Sequence, residues 1–210
     1  VLFYHLLIDR GFNVDYCIYD NEIPANEVIT KDAIKKNGKN KFWNRSVNNA
    51  KRFLKHSRVD YEFIGYSNEV DILLNESKGS LEKILNLEFD GIKFGKIVES
   101  VLFRFYKSFT FDKDVLIVAE KFMYTALTNY FHFKSKLSQK KYKYVLFSHG
   151  IYCTWGPISK YCESIKQNYI CYDRAKTDGC FNFNLNKPSP VWDISDAWAR
   201  LENYTLSSLE

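Results

Sequence analysis

The apolar residues of this chain switch period along its length, from helical to extended and back, and that switching limits the fold more than any single motif does. Residues 1–10 (VLFYHLLIDR) repeat at helical spacing and stop at Gly11, where a helix end takes positive φ at little cost. Residues 13–20 alternate, with Val14, Tyr16 and Ile18 on one face and Cys17 and Tyr19 on the other, which is a strand pattern. A polar, turn-rich loop over 21–41 leads to a helix over 42–57, its stripe formed by Trp43, Val47, Ala50 and Leu54, and then to a strand over 59–67. A helical middle spans 80–137: a short helix opened by Ser80, whose cap is partial because Lys83 replaces the usual Glu, then helices over 94–109 and 112–137. Beyond it come a strand ending in LFSHGIY (146–152), a helix over 156–168 with Pro157 in its first turn, and a strand over 169–173. Residues 176–193 read as loop, and Ser195 caps a last helix. Such a succession predicts right-handed βαβ units: a single α/β domain over 1–210, with a parallel sheet and helices on both faces.

The chain begins without Met, in a helical pattern with no strand before it, and so reads as a piece of a longer protein cut at both ends. No apolar run approaches the roughly 18 residues needed to span a bilayer, and no secretion signal is visible. An odd count of five cysteines then favours reduced thiols and a cytoplasmic location. Cys153, Cys162, Cys171 and Cys180 fall nine apart, but zinc sites built on cysteine use close pairs such as C-x2-C, so no metal is expected from them. The net charge of +5 is mild. The lysine cluster over 134–144 permits peripheral contact with a membrane surface without demanding it, since such runs are ordinarily the solvated end of a helix. No nucleic-acid-binding signature is present, nor a dinucleotide fingerprint, a P-loop, a G-x-S-x-G elbow or an H-E-x-x-H zinc motif.

In parallel sheets ligands sit beyond the carboxyl ends of strands, which makes the end of LFSHGIY the first place to look. There Ser148, His149 and Gly150 are expected at the edge. An imidazole titrating near 6.5 can take a proton from a hydroxyl, or it can simply fix the turn, and both readings of His149 stand. Gly150 allows a bend or a close approach. Tyr152 and Trp155 offer faces for a sugar ring, or else cover the core. Gly156, at the expected start of the next helix, offers free N–H groups to an anion. Past the following strand, Asp173 is a second candidate base or a partner for His149, and Arg174 and Lys176 are candidate phosphate contacts. Solvated loop charges are the plainer alternative for these. Asp90 and Gly91 lie in a turn, FDGIKFGK (89–96), that Gly91 and Gly95 shape.

Three stretches in order, LLIDRGFNVDYCIYD, LEFDGIKFGKIVESVLFRFY and YVLFSHGIYCTWGPISKYCESIKQNYICYDRAKTDGCFNF, resemble bacterial capsule and surface-polysaccharide biosynthesis proteins. These are glycosyltransferase-like proteins of two Rossmann-like domains, the GT-B arrangement. The resemblance covers most of the chain, is to the first, acceptor-side domain, includes no catalytic signature, and implies that 1–210 is one Rossmann-like, three-layer domain, half of such an architecture. It implies transfer of a sugar from a nucleotide-sugar donor to a glycan or lipid-linked saccharide acceptor, with no cofactor and no required metal. The donor's nucleotide would be gripped mainly by a second domain following PVWDISDAWARLENYTL, so this chain alone would be inactive. His149 or Asp173 would be the base in an inverting transfer. The competing expectation is a non-catalytic glycan- or partner-binding domain on the same fold.

Overall fold

The computed structural model describes residues 2–19, 23–25, 39–65, 67–108, 110–175, 177 and 179–189. In chain order they form α1 (Leu2–Asp9), β1 (Cys17–Tyr19), α2 (Lys39–His56), β2 (Glu62–Ile64), α3 (Asn68–Ser77), α4 (Leu81–Leu85), α5 (Phe94–Tyr106), α6 (Val115–Gln139), β3 (Val145–Ser148), α7 (Tyr152–Ser164), β4 (Tyr169–Arg174) and β5 (Phe181–Leu185). The protein is mixed α/β. The expected last helix, with its Ser195 cap, lies outside the described residues.

The single parallel sheet of the sequence reading is not what these residues form. β1 and β2 pair in parallel as one two-stranded sheet, and β3, β4 and β5 make a second in that order. β3–β4 is parallel, but β4–β5 is antiparallel. The stretch read as loop thus contains a strand. Phe181, Phe183 and Leu185 alternate with asparagines, and the turn before them lets the chain double back onto β4. Alternation also sorts the faces of this sheet. Phe147, Tyr169 and Cys171 point to the buried side and pack with Ile158 and Cys162 of α7. Leu146, Phe183 and Leu185 occupy the opposite side and stay exposed, and Phe3 of α1 covers part of it through edge contacts with Tyr172, Phe181 and Phe183.

The helical middle carries the main core. α6 is buried from Val118 to Phe131 apart from a few flanking positions, and Phe122, Met123, Ala126 and Leu127 meet Val98, Val101 and Leu102 of α5. Burying each such large side chain is worth about 1.5–3 kcal/mol. The short α4 starts as expected, the Ser80 hydroxyl accepting the Lys83 N–H at 3.3 Å. Asn129 of α6 ties the layers together. Its carbonyl oxygen accepts the Tyr19 hydroxyl at 2.7 Å, and its amide donates to the Thr125 and Cys153 carbonyls. The last of these bonds has a sequence cause. Pro157 lies inside α7 and has no N–H for the Cys153 carbonyl, so Asn129 supplies the donor.

Candidate functional site

β3 ends at Ser148, and the backbone then turns sharply. The Gly150 N–H donates to the Ser148 carbonyl around His149, whose φ is +23°. A three-residue turn of this hand is rare and strained. It is pinned on all sides: the His149 N–H donates to the Tyr172 carbonyl (2.9 Å), the His149 carbonyl accepts the Ser189 N–H (2.8 Å), and buried Ser159 donates its hydroxyl to the Gly150 carbonyl (2.8 Å). Gly150 has φ +75°, and a Cβ there would stand 2.6 Å from Cys171 Sγ. Tyr152 opens α7 with φ +62°. Two non-glycine residues in the left-handed region flank one glycine, and strain of this kind concentrates where function fixes geometry.

His149 is half-buried beside the Tyr152 ring, the centroids 5.8 Å apart and edge-on. Burial holds its pKa below the ordinary histidine value. The negative charge of Asp173 pulls it back up, and the charge of Arg104 pushes it down. The structure therefore brings His149 and Asp173 within electrostatic reach. It also adds Arg104 of α5, which the sequence reading missed: its guanidinium lies 5.0 Å from the Tyr152 ring centroid, with a bond of 3.4 Å to the hydroxyl. A neutral imidazole next to a carboxylate and a cation is equipped to accept a proton from a hydroxyl.

The other expected residues divide. Ser148 pairs with Tyr172 across the ladder and Arg174 is exposed at the end of β4, both at this edge. Asp173 Oδ1 accepts the Arg174 N–H at 2.7 Å. Lys176 lies outside the described residues. Gly156 is a correction. α7 starts at Tyr152, so the Gly156 N–H is inside the helix rather than free at its end, and Gly156 is buried against Ile97 of α5. Trp155 stacks over Phe147 at 6.3 Å and 8° and packs on the sheet core, the covering role that was one of its two expected readings. Asp90 and Gly91 are not part of this edge. They form a tight turn with φ +49° and +74°, where Asp90 accepts from Tyr130 and Lys134 of α6.

That turn borders an open pocket of about 670 Å³ lined by Gly65, Ser67, His132, Lys134, Ser135 and neighbours. It sits past the carboxyl end of β2, where the strand-end rule also points, although the sequence reading applied that rule only to β3 and β4. Three lysines of the basic run are paired: Lys134 with Asp90, Lys136 with Glu62, and Lys140 with Asp15 at 2.7 Å. Among the described residues no helix is long and apolar enough to cross a membrane. Comparison with protein-family models, with curated proteins and with solved structures gives no match for this chain.

Proposed function

We propose that the chain is the acceptor-side, Rossmann-like domain of a GT-B-type glycosyltransferase that builds a capsule or surface polysaccharide in the cytoplasm, at the inner face of the membrane. The observation that carries this reading is His149: a half-buried imidazole with a lowered pKa, at a strand end, in a strained turn, under the influence of Asp173 and Arg104. In this role His149 removes the proton of an acceptor hydroxyl, that oxygen bonds to the anomeric carbon of the donor sugar, and the nucleotide leaves with the bonding pair on its phosphate. Asp173 stabilises the imidazolium so formed, and Arg104, Arg174 and Lys176 favour the departing phosphate. The exposed Leu146, Phe183 and Leu185 support a further layer over that sheet face, as a three-layer domain requires.

A second reading, a non-catalytic glycan-binding domain, is favoured by the pocket at β2, which has the volume of a small-ligand site and is lined without His149. One experiment separates the two. The uninterrupted reading frame is expressed with and without His149→Ala and assayed for nucleotide release from a panel of nucleotide sugars, with a membrane or glycan extract as acceptor. Release that needs the extract and collapses in the variant supports the transferase with His149 as base. Release unaffected by the variant returns His149 to a turn-fixing role. No release, with glycan binding lost in Lys134→Ala, supports the binding domain.

A further inference from the structure

Cys17 of β1 and Glu62 of β2 are register partners in the parallel ladder, so their side chains leave the same face of that sheet. His132 of α6 meets them there. One donor atom from each residue, a sulfur, a carboxylate oxygen and a ring nitrogen, lies within 4.8 Å of the other two. Cys17 donates its S–H to Glu62 Oε1 at 3.0 Å. His132 Nδ1 accepts the Gly65 N–H at the long distance of 3.3 Å, while its Nε2 is buried without a hydrogen-bond partner among the described residues. An imidazole nitrogen left unpaired inside a protein costs free energy unless something occupies it. His132 also lines the open pocket at β2, which provides a route in from solvent.

We propose that Cys17, Glu62 and His132 bind one divalent ion of the zinc class. The mixed S, N, O set suits zinc or cobalt and is poorly matched to magnesium or calcium, which take oxygen ligands. Zinc bonds of about 2.0–2.3 Å place tetrahedral ligands roughly 3.3–3.8 Å apart, so the Cys17 Sγ–Glu62 Oε1 pair, now 3.0 Å, opens slightly while the His132 nitrogen, within 4.8 Å of both, closes by about 1 Å. Three protein ligands leave a fourth position for water or a substrate atom, as in catalytic rather than structural zinc sites. Binding is an exchange. The neutral His132 ring gives up its long bond from the Gly65 N–H and keeps its one proton on whichever nitrogen does not face the ion, so the ring itself releases none. The thiol, its pKa raised by burial and by the Glu62 hydrogen bond, gives its proton to solvent and its sulfur lone pair to the ion. Lys136, which pairs with Glu62 and stands 3.9 Å from Asp15, gives up the first partner and keeps the second. The expectation of no metal weighed the cysteines spaced nine apart, and this site uses the one outside that series.

The test uses the whole chain with Co²⁺ alone and Zn²⁺ alone. We expect one Co²⁺ per chain, a near-ultraviolet thiolate-to-cobalt band that Zn²⁺ abolishes, and release of one proton per Zn²⁺ bound near neutral pH. Cys17→Ser should remove the band and weaken Zn²⁺ binding by at least about 100-fold, the top of the range for losing an outer-shell partner. Cys180→Ser should change neither. Lys136→Gln, which removes the competing cation, should tighten binding several-fold. The proton count is read on the unaltered chain, so it decides the matter even if Cys17→Ser does not fold. Binding without proton release, no thiolate band, or a band lost in Cys180→Ser instead would overturn the proposal.

Discussion

Replacing Gly95 by alanine tests the packing of the helical core by the sign of its effect. Gly95 lies in the first turn of α5, buried, and its N–H donates to the Leu87 carbonyl at 3.0 Å. A Cβ there would stand 1.9 Å from the Leu85 carbonyl oxygen, 2.2 Å from the Leu85 carbonyl carbon and 2.9 Å from the Asn86 nitrogen. Ordinary contact begins near 3.4 Å, and all three atoms are backbone, so no side chain can rotate away and α4 has to retreat by about 1.5 Å. Ile84 of α4 and Phe94 of α5, both fully buried in the same core, lose packing if that junction opens. In an unobstructed helix the same change stabilises by about 1 kcal/mol. Overpacking that shifts backbone costs about 1–3 kcal/mol and sometimes more; with only backbone atoms to displace the upper end applies, and less the helix gain of about 1 kcal/mol the net expectation is a loss of about 2 kcal/mol. With a urea m-value of about 2–3 kcal/mol/M, the midpoint should fall by about 0.7–1 M. Unfolding followed by both far-ultraviolet circular dichroism and tryptophan fluorescence checks this and shows whether one transition is being read. A midpoint equal to or above that of the unaltered chain would falsify the close approach of α4 and α5.

Gly150→Ala should cost more than Gly79→Ala in the same assay. Both glycines have φ near +75°, worth about 1–2 kcal/mol in strain, but only Gly150 has a neighbour, Cys171 Sγ, in the way. Equal losses would remove that contact from the account. Arg104→Gln should raise the His149 pKa and Asp173→Asn should lower it, read by nuclear magnetic resonance titration of the imidazole, because the two charges act on it in opposite directions. If neither variant moves it, the charged edge is wrong. The folded pKa of His149 is depressed, so the unfolded chain takes up its proton first as pH falls. Its contribution to stability is therefore present above about 6.5 and lost between there and the folded value, and His132 acts in the same direction. Of the five thiols, Cys180 is exposed, whereas burial raises the pKa of Cys17 and pushes Cys162 and Cys171 up to about 12. A single fast reaction with a neutral disulfide reagent, absent in Cys180→Ser, is expected, and two or more fast thiols would contradict this burial.

What could be read ahead of the structure is what the chain writes contiguously. A helix over 94–109 and one over 112–137 are periodic and long, and both formed within a few residues of the expected ends. The strand into Ser148 and the turn at His149 stand in seven successive letters, so the edge was found. Helix α3 was missed because Val70, Leu73 and Leu74 are diluted by acids and asparagines, and it is ordered by packing against α6 rather than by its own pattern. The Tyr152 start of α7 was missed because the backbone enters the helix at positive φ, a choice enforced by the pinned turn before it and not by any capping residue. Arg104 meets Tyr152, beside His149, because α5 packs against α7, with Gly156 next to Ile97, a contact no spacing rule encodes. The Cys17, Glu62 and His132 cluster is the limiting case. Each residue has an ordinary reading in its own segment, and only the β1–β2 register and the passage of α6 beneath it place the three donors together. A ligand set drawn from three elements carries no spacing signature, so its absence from the motifs is no argument against it. Cobalt and a proton count, rather than a longer reading of the letters, are the instruments that can decide it.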